Sequence, residues 1–284
     1  MKFIIVGATG YIGKELMRCG NKTTLVLGTS SSESAVLLYL RLDAPDVFDF
    51  GVVQPLDVVF LTAAISSPDV CVREHDRAWA VNVTGTLSFI SKVISRGARV
   101  IFFSSDTVYG ERNDKFDERA ESNPAGEYAE MKHEVEKRFL GNPLFKVIRL
   151  SYVFSQRDKF TKYLSGCTER GEEAEIFHPF YRAVIHRDDV VMGAIALAQR
   201  WDEFPQNIIN FGGPEVLART EFAGILKDTA LPSLRFRVTE PEATFFKNRP
   251  KMIWMVSQTL ALLLGRPAHS LREAARIEFE REHD

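Results

Sequence analysis

The sequence predicts an α/β fold with a doubly wound parallel sheet, and two patterns support this prediction. Short apolar runs rich in β-branched and aromatic residues predict buried strands over residues 3–6, 24–27, 36–40, 58–61, 100–103 and 147–150. Longer amphipathic segments lie between them and predict helices over residues 11–19, 73–96 and 127–140. Strands that alternate with helices form parallel sheets covered on both faces, with right-handed crossovers.

The alternation of strands and helices becomes weaker after Leu150. We expect helices over residues 188–201 and 219–229, a strand over 208–211 and a charged helix over 271–283. The apolar run 252–264 contains polar residues and predicts a buried helix. The C-terminal part is therefore expected to be organised differently from the part before Leu150.

The composition is that of an ordinary globular chain of 284 residues, 45% hydrophobic and 26% charged, with a formal net charge of −2. No basic cluster indicates a nucleic-acid partner, and no apolar run is long enough to span a membrane. Cys19, Cys71 and Cys167 form no C-x-x-C pair, so neither a disulfide framework nor a structural zinc site is expected. These features predict a cytoplasmic protein without a metal site.

A glycine-rich turn follows the first predicted strand and opens the first predicted helix. Gly7, Gly10 and Gly13 give the pattern G-x-x-G-x-x-G. Glycine allows a tight turn, lets backbone N–H groups approach a pyrophosphate and lets the helix pack close to the strand. The helix N-terminus adds free N–H groups and a dipole that favours phosphate. This context predicts a dinucleotide-binding site in a Rossmann-type fold.

The glycine turn and the change of pattern after Leu150 together divide the chain into two parts. Residues 1–154 are predicted to form the dinucleotide-binding domain, and residues 183–204 are predicted to return to it. Residues 155–182 and 205–284 are predicted to form a smaller C-terminal substrate-binding portion.

The end of the second strand bears on the choice between NAD and NADP. A carboxylate at this point would bind the ribose 2′-hydroxyl of NAD and repel the 2′-phosphate of NADP. Here the chain continues with Thr-Ser-Ser-Ser at residues 29–32 and has no acid before Glu33. Hydroxyl groups donate to phosphate, and Lys22 and Arg41 are candidates for a nearby cation. We therefore expect NADP, with NAD as the alternative.

Three polar residues are candidates for the chemistry, since the ends of parallel strands are where such folds bind their ligands. Ser105 follows the fifth predicted strand, and Tyr128 and Lys132 lie four apart on one face of the next helix. A phenol has an ordinary pKa of about 10, and a lysine ammonium and a charged nicotinamide ring would stabilise its phenolate. A serine hydroxyl can hold a substrate oxygen. The set suits proton transfer coupled to hydride transfer.

The order of these motifs resembles the extended short-chain dehydrogenase/reductase family, in its sugar-nucleotide branch of reductases, epimerases and dehydratases. The resemblance spans nearly the whole chain and rests on Gly7-x-x-Gly10-x-x-Gly13, residues 57–64, Asn82-Val83-x-Gly85-Thr86, Ser104-Ser105-x-x-Val108-Tyr109-Gly110, Tyr128-x-x-x-Lys132, and residues 149–153 and 185–190. It implies that Tyr128 is the acid/base and that Lys132 lowers its pKa and binds the nicotinamide ribose. It also implies that Ser105, chosen over Ser104 by its distance from Val108-Tyr109-Gly110, orients the substrate.

The resemblance further implies which residues contact the ligands. The implied cofactor-binding residues are Gly7, Thr9, Gly10, Tyr11, Ile12, Gly13, Thr29, Ser30, Ser31, Asp43, Ala63, Ala64, Ser104, Tyr128, Lys132 and Ser151. The implied substrate contacts are Ser66, Asp106, Thr107, Lys159 and Arg182, and Lys162 and His178 lie in the same region. Arg182 stands at the spacing where epimerases often place a phosphate-binding arginine, whereas structural roles are favoured for His178 and His186.

The chain departs from the family pattern at three points. Ala129 and Met131 replace the small glycine and serine common inside the Tyr/Lys motif, so the helix is expected to pack differently there. Thr107 stands where the family's 4,6-dehydratases have a glutamate base, which disfavours dehydration. The acidic residue often found after the second strand is missing as well.

Three functions within the family remain open, each with a small-molecule partner. A reductase of a nucleotide-activated keto-deoxysugar, similar to the dTDP-4-dehydrorhamnose reductases, is favoured by the short chain, the Ser105-Asp106 pair and residues 249–267. A sugar-nucleotide 4-epimerase would keep NAD bound and recycle it. A non-catalytic, cofactor-binding regulatory relative is disfavoured by the intact Ser105, Tyr128 and Lys132. The resemblance also implies a homodimer formed through helices 73–96 and 127–140.

Overall fold

The fold is described from a computed structural model that covers residues 1–112 and 114–280. The central sheet contains the strands β1 (Phe3–Val6), β2 (Val26–Ser30), β3 (Leu38–Tyr39), β4 (Val58–Leu61), β5 (Arg99–Ser105), β6 (Phe145–Leu150) and, later in the chain, β10 (Ile208–Phe211). All are parallel, in the order β10-β6-β5-β4-β1-β2-β3. The order reverses between β1 and β4, as in a doubly wound Rossmann-type sheet. The predicted α/β fold class is confirmed.

Helices cover both faces of this sheet. In chain order they are α1 (Gly13–Gly20), α2 (Pro68–Arg73), α3 (His75–Trp79), α4 (Thr86–Ser95), α5 (Glu127–Phe139), α6 (Lys159–Arg170), α7 (Arg187–Gln199), α8 (Arg219–Thr229), α9 (Leu260–Leu264) and α10 (Leu271–Glu280). Phe3 and Ile5 of β1 join one apolar core with α1 and α7, whereas Ile4 and Val6 join the opposite core with α4 and α5. Within the described residues, no helix has the length and apolar character needed to cross a membrane.

Two smaller sheets lie in the C-terminal part. The first contains β7 (Tyr152–Phe154), β9 (Tyr181–His186), β11 (Glu215–Ala218) and β13 (Met252–Ile253), and the second pairs β8 (Glu173–Phe177) with β12 (Arg235–Thr239). Helices α6, α8 and α10 surround a separate apolar core with these strands. The predicted division into two domains stays a prediction. Strand β10 belongs to the large sheet, although its residues fall in the range 205–284 assigned to the smaller portion.

The prediction of a buried helix over residues 252–264 is wrong. Strand β13 begins this segment and pairs with β9, and Ser257 exchanges hydrogen bonds with the backbone of Gly212 at 2.7 and 3.1 Å. Only Leu260–Leu264, which is α9, is helical. A short buried strand and a buried helix produce the same kind of apolar run, so composition does not distinguish them.

The long helix predicted over residues 73–96 is interrupted twice. Glu74 leaves the helical conformation between α2 and α3, and a π-helical turn, Ala80–Gly85, separates α3 from α4. Gly85 packs so closely that an added Cβ would lie 1.4 Å from the carbonyl oxygen of Leu42. Such π turns occur mostly within helices near functional sites.

Smaller differences affect the site directly. Strand β2 ends at Ser30 rather than at residue 27, so Thr29 and Ser30 are buried strand residues. Helix α6 lies in a stretch for which no element was predicted, and Asp158 caps it by accepting hydrogen bonds from the N–H groups of Phe160 and Thr161. The charged helix predicted over 271–283 is described as far as Glu280, and residues 281–283 lie outside the described residues.

Candidate active site

The glycine turn connects β1 to α1 in a conformation that requires glycine. Gly7 has a φ of 91°, and the N–H of Gly10 donates to the carbonyl of Gly7 at 2.9 Å. A Cβ on Gly13 would lie 2.1 Å from the Gly7 carbonyl oxygen, and a Cβ on Gly7 would lie 3.0 Å from the backbone nitrogen of Ala63. No side chain caps α1, and the N–H groups of Lys14 and Glu15 already donate to the carbonyls of Gly10 and Ile12. Within the described residues, the N–H groups of Ile12 and Gly13 have no such partner and are left for a phosphate. The turn therefore fits the pyrophosphate of a dinucleotide.

A cleft of 710 Å³ opens beside this turn, at the carboxyl ends of β1, β4 and β5. It brings together most of the residues predicted to bind the cofactor. These are Gly7, Thr9, Gly10, Tyr11, Ile12, Gly13, Thr29, Ser30, Ser31, Asp43, Ala63, Ala64, Ser104, Tyr128 and Lys132. Ser66, predicted as a substrate contact, lines the same cleft, whereas Ser151 does not.

One end of the cleft contains the side chains that bear on whether the cofactor has a hydroxyl or a phosphate at its ribose 2′ position. Arg41 lines the cleft together with Ser30 and Ser31. Its guanidinium donates to the carboxylate of Asp43 through Nε at 3.0 Å and Nη2 at 2.6 Å. Lys22 lines a different groove, so Arg41 is the one of the two candidate cations that lies near the serines.

Tyr128 and Lys132 line the cleft from one face of α5. The Nζ of Lys132 donates to the carbonyl of Phe103 at 2.8 Å and lies 4.5 Å from the ring centroid of Phe102. Burial lowers the pKa of Lys132 to about 8. This carbonyl contact was not predicted, because it depends on how α5 packs on β5.

Burial also governs the ionisation of Tyr128. It raises the pKa of the phenol above its ordinary value, and the nearby Cys71 and Asp106 raise it further. Among the described residues, no hydrogen-bond partner of the Tyr128 hydroxyl is found. In the absence of a cofactor's charge the phenol is therefore protonated at neutral pH, which suits a proton donor.

Ser105 ends β5 and caps the short turn that follows. Its Oγ accepts hydrogen bonds from the backbone N–H of Thr107 at 3.2 Å and from the Thr107 hydroxyl at 2.9 Å, and donates to Asp106 at 3.3 Å. Ser104, the neighbouring serine, lines the cofactor cleft. Adjacent strand residues point to opposite faces, so the side chains of Ser104 and Ser105 lie in different surroundings.

Asp106, which follows the end of β5, belongs to a buried cluster of polar side chains. The Oγ of Ser151 donates to Asp106 at 2.7 Å, and the Nε of Arg182 lies 3.9 Å from the same carboxylate oxygen. Arg182 also donates to the carbonyls of Tyr181 at 2.6 Å and Pro250 at 2.7 Å. Burial raises the pKa of Asp106 and lowers that of Arg182 to about 10. In this structure the guanidinium of Arg182 therefore donates to the protein itself.

A second, larger groove of 1600 Å³ adjoins the cofactor cleft at Ser66 and residues 9–11. Lys159 and Lys162 of α6 line it, as does Ser151. Two of the predicted substrate contacts, Ser66 and Lys159, are thus placed around one opening.

The two histidines considered for the site contact other side chains, and His186 also lines the large groove, so their structural role stays a prediction. His186 is buried and its Nε2 lies 3.1 Å from Glu278 of α10. The ring of His178 packs edge-on against Tyr181, with 5.7 Å between centroids.

Asn82 is a polar residue of the site region whose contacts the sequence did not reveal. It lies in the π-helical turn, where its side chain accepts from the N–H of Ile65 at 2.8 Å and donates to the Ile65 carbonyl at 2.9 Å. Ile65 lines the cofactor cleft, so Asn82 fixes the cleft wall that follows β4. The sequence feature that could have indicated these contacts is the motif Asn-Val-x-Gly-Thr, which places a polar residue near a glycine in a helical segment.

Fold and site together define an NAD(P)-dependent oxidoreductase of the extended short-chain dehydrogenase/reductase type. Residues 1–281 match the family described as the RmlD substrate binding domain. The chain therefore belongs to this family, and the family prediction made from the motifs is confirmed.

Relatives and solved structures extend the comparison over nearly the whole chain. Methionine adenosyltransferase 2 subunit beta of Danio rerio is 25% identical over 277 residues, which cover 92% of this chain and 84% of the relative. The structure of MoeE5 in complex with UDP-glucose and NAD has a TM-score of 0.83 at 19% identity, covering 100% of this chain and 99% of that chain. The structure of a dTDP-4-dehydrorhamnose reductase from Clostridium acetobutylicum has a TM-score of 0.80 at 20% identity, covering 100% of both chains.

Proposed function

We propose that this protein is an NAD(P)H-dependent reductase of a nucleotide-activated keto-deoxysugar. The observation that carries the proposal is the position of Tyr128 and Lys132 in the wall of the cleft next to the glycine turn. Burial keeps Tyr128 protonated, as reduction of a carbonyl requires. Membership of the RmlD substrate binding domain family and the likeness to a dTDP-4-dehydrorhamnose reductase support the same reaction.

The proposed roles follow from the positions of Tyr128 and Lys132 and, for Ser105, from the family resemblance. When bound, the reduced nicotinamide supplies the hydride that reduces the carbonyl carbon. Tyr128 donates its phenolic proton to the carbonyl oxygen as negative charge develops there, and Lys132 stabilises the resulting phenolate. The Phe103 carbonyl holds the Nζ of Lys132 in place. Ser105 orients the substrate oxygen.

Dehydration is disfavoured by the residue after Asp106. Thr107 uses its hydroxyl to donate to Ser105, and it offers no carboxylate base for water elimination. A 4-epimerase would use the same tyrosine and lysine but would regenerate its cofactor in every turnover. The two reactions therefore differ in net cofactor consumption.

We propose NADP as the cofactor, with NAD as the alternative. Arg41, Ser30 and Ser31 line the cleft where a 2′-phosphate is expected, and arginine binds phosphate oxygens with two donors. The Arg41 guanidinium already donates to Asp43, so a phosphate would share it with that carboxylate.

Net reduction is the experiment that tests this function. The purified protein is mixed with a dTDP-4-keto-6-deoxysugar and either NADPH or NADH, and cofactor absorbance and sugar product are followed together. We expect one cofactor oxidised per keto group reduced, with a higher kcat/KM for NADPH. A non-keto dTDP-sugar serves as the control. Inversion at C4 of the non-keto dTDP-sugar without net cofactor oxidation would favour the epimerase, and equal kcat/KM values for NADPH and NADH would contradict the NADP assignment.

A second candidate function is a cofactor-binding regulatory subunit. The relative from Danio rerio, named as the beta subunit of methionine adenosyltransferase 2, is the observation that favours it. Tight cofactor binding without turnover on any keto-sugar nucleotide would support this second candidate over the reductase.

The pH dependence of reduction should follow the ionisation of Lys132. Its pKa is lowered to about 8 by burial, so the stabilising charge is lost as the pH rises through that value. We expect kcat/KM for reduction to decline on the alkaline side of about pH 8 and to be level below it. The measurement is kcat/KM across the neutral and alkaline range at constant ionic strength. A profile that stays level well above this pKa would contradict the assigned role.

A further inference from the structure

A buried ion pair connects α5 to β6 next to the cofactor cleft. Arg149 donates to the carboxylate of Glu136 through Nη2 at 2.5 Å and Nε at 3.2 Å, and both side chains are buried. Arg149 lies opposite Ser104, which lines the cleft, in the pairing of β5 with β6. Well-packed apolar side chains are often as stable as a buried ion pair, so stability alone does not explain why these charges are present.

Glu136 follows Lys132 by one turn of α5, and both lie on the buried face of this helix. Residues four apart on a helix have their Cβ atoms about 6 Å apart. The Nζ of Lys132 donates to the carbonyl of Phe103, and among the described residues it has no other hydrogen-bond partner. A buried ammonium with one neutral acceptor still needs a negative charge nearby, and Glu136 supplies one.

The other titratable groups around Lys132 do not supply this charge. Burial raises the pKa of the Cys71 thiol on α2 and that of the Tyr128 phenol on α5, so both groups are uncharged at neutral pH. Asp106, in the turn after β5, acts on Tyr128 instead. The π-helical turn contributes no titratable side chain. The charge of Glu136 therefore raises the pKa of Lys132 against the larger, lowering effect of burial.

The surroundings of Glu136 keep its carboxylate ionised. Burial by itself would raise the pKa of this group, but the neighbouring His133 and the guanidinium of Arg149 bring it below its ordinary value. The Nδ1 of His133 lies 3.8 Å from the carboxylate. Arg149 also donates to the Ser122 hydroxyl at 2.8 Å, which fixes its guanidinium. Arg149 thereby holds a negative charge one helical turn from Lys132.

We propose that Glu136 is a positioning residue that keeps Lys132 charged during reduction, and that Arg149 holds Glu136 in place. If the carboxylate were neutral, two buried cations would remain without a counter-charge, and the lysine would lose its proton because an arginine does not. A neutral lysine does not stabilise the phenolate that forms when Tyr128 gives up its proton. The inference rests on the proposed function, although neither Glu136 nor Arg149 needs to touch the cofactor or the substrate.

An NMR titration of the ligand-free full chain tests this inference. The Cε resonance of Lys132 is followed in protein with isotope-labelled lysine and is assigned by its loss in Lys132→Met. Glu136→Gln keeps the size of the side chain and an acceptor for Arg149 but removes the charge. We expect the pKa of Lys132 to fall by about one pH unit in this variant, the scale of one nearby charge. Glu134→Gln, at a partly exposed residue of the same helix paired with Lys137 at 2.6 Å, is the control and should titrate as the wild type.

The same substitution should move the pH profile of reduction. The charge of Lys132 is lost as the pH rises through its pKa, so a lower pKa shifts the alkaline decline of kcat/KM to lower pH. We expect the decline in Glu136→Gln to begin about one pH unit below that of the wild type, with kcat/KM at acidic pH little changed. A merely structural role would lower kcat/KM by the same factor at every pH.

A double variant keeps the test valid if the loss of one charge weakens the fold. Glu136→Gln leaves Arg149 buried without its counter-ion and should lower the Tm by about 10 °C, whereas Glu136→Gln/Arg149→Met should recover most of this loss. The pKa of Lys132 should stay low in the double variant, because the carboxylate is still missing. A wild-type pKa of Lys132 in either variant, or an equal shift in Glu134→Gln, would overturn the inference.

The NMR titration does not depend on turnover, so the two proposals can fail separately. If the pKa of Lys132 falls as expected but no keto-sugar is reduced, the reductase proposal fails alone. If keto-sugars are reduced and Lys132 titrates in Glu136→Gln as in the wild type, this inference fails alone.

Discussion

Replacing Tyr128 with phenylalanine should lower kcat by about a thousandfold, the scale of a lost general acid, while the cofactor still binds. The substitution removes one hydroxyl that has no hydrogen-bond partner among the described residues, so packing on α5 should be retained. Hydride transfer to a carbonyl then leaves an alkoxide without a proton donor, and this charge is costly in a water-poor cleft. Steady-state reduction of a keto-sugar nucleotide and calorimetry with NADPH measure the two effects separately.

Tyr163→Phe is the matched control for this experiment. Tyr163 lies on α6 with 40% of its surface exposed, and its hydroxyl accepts a hydrogen bond from the N–H of Glu175. It should retain wild-type kcat. Near-normal turnover in Tyr128→Phe would show that the phenol takes no part in the reaction. Lost cofactor affinity in this variant would point to a structural effect.

The centre of the large sheet could be predicted because β1 and β4 are buried on both faces, whereas β3 at the edge is partly exposed. Strands β1 and β4 appear in the sequence as uninterrupted apolar runs, and the structure has them at the predicted bounds. The pairing of Tyr128 with Lys132 was equally accessible, since four residues make about one helical turn. Local periodicity thus predicted the fold class and the Tyr128–Lys132 pair, whereas most of the other residues around the cleft were implied by the family resemblance.

The contacts that could not be predicted join residues far apart in sequence. The π-helical turn that holds Asn82 depends on the close approach of Gly85 to Leu42 and on the backbone of Ile65. Arg182 donates to the carbonyl of Pro250, 68 residues away. No periodicity reports such contacts, and they decide which polar groups remain free to bind a ligand.

The apolar run 252–264 shows that long-range contacts also limit the prediction of secondary structure from composition. Its first residues are apolar because β13 is buried beside β9, and its last because α9 packs on α7. Between them, Ser257 is polar because it pairs with the backbone of Gly212. A single continuous helix was predicted because burial against different neighbours gives similar composition.

Gly13→Ala should produce the second large effect, on cofactor binding and on stability. The added Cβ would lie 2.1 Å from the Gly7 carbonyl oxygen and 3.1 Å from the Cα of Ala8, both parts of the backbone that cannot rotate away. The start of α1 must then move away from β1, which displaces the N–H groups that face the pyrophosphate. We expect NADPH affinity to fall by about 100-fold and the free energy of unfolding to fall by about 2 kcal/mol.

Gly224→Ala is the control that tests whether the effects of Gly13→Ala are specific to the glycine turn. Gly224 lies inside α8, where no atom is found within 4 Å of an added Cβ. Alanine is the better helix former there, so this variant should keep its NADPH affinity and gain up to about 1 kcal/mol of stability. Calorimetry with NADPH and denaturant unfolding of both variants provide the measurements. Wild-type affinity in Gly13→Ala would mean that the cofactor does not depend on the close packing of helix and strand at this turn.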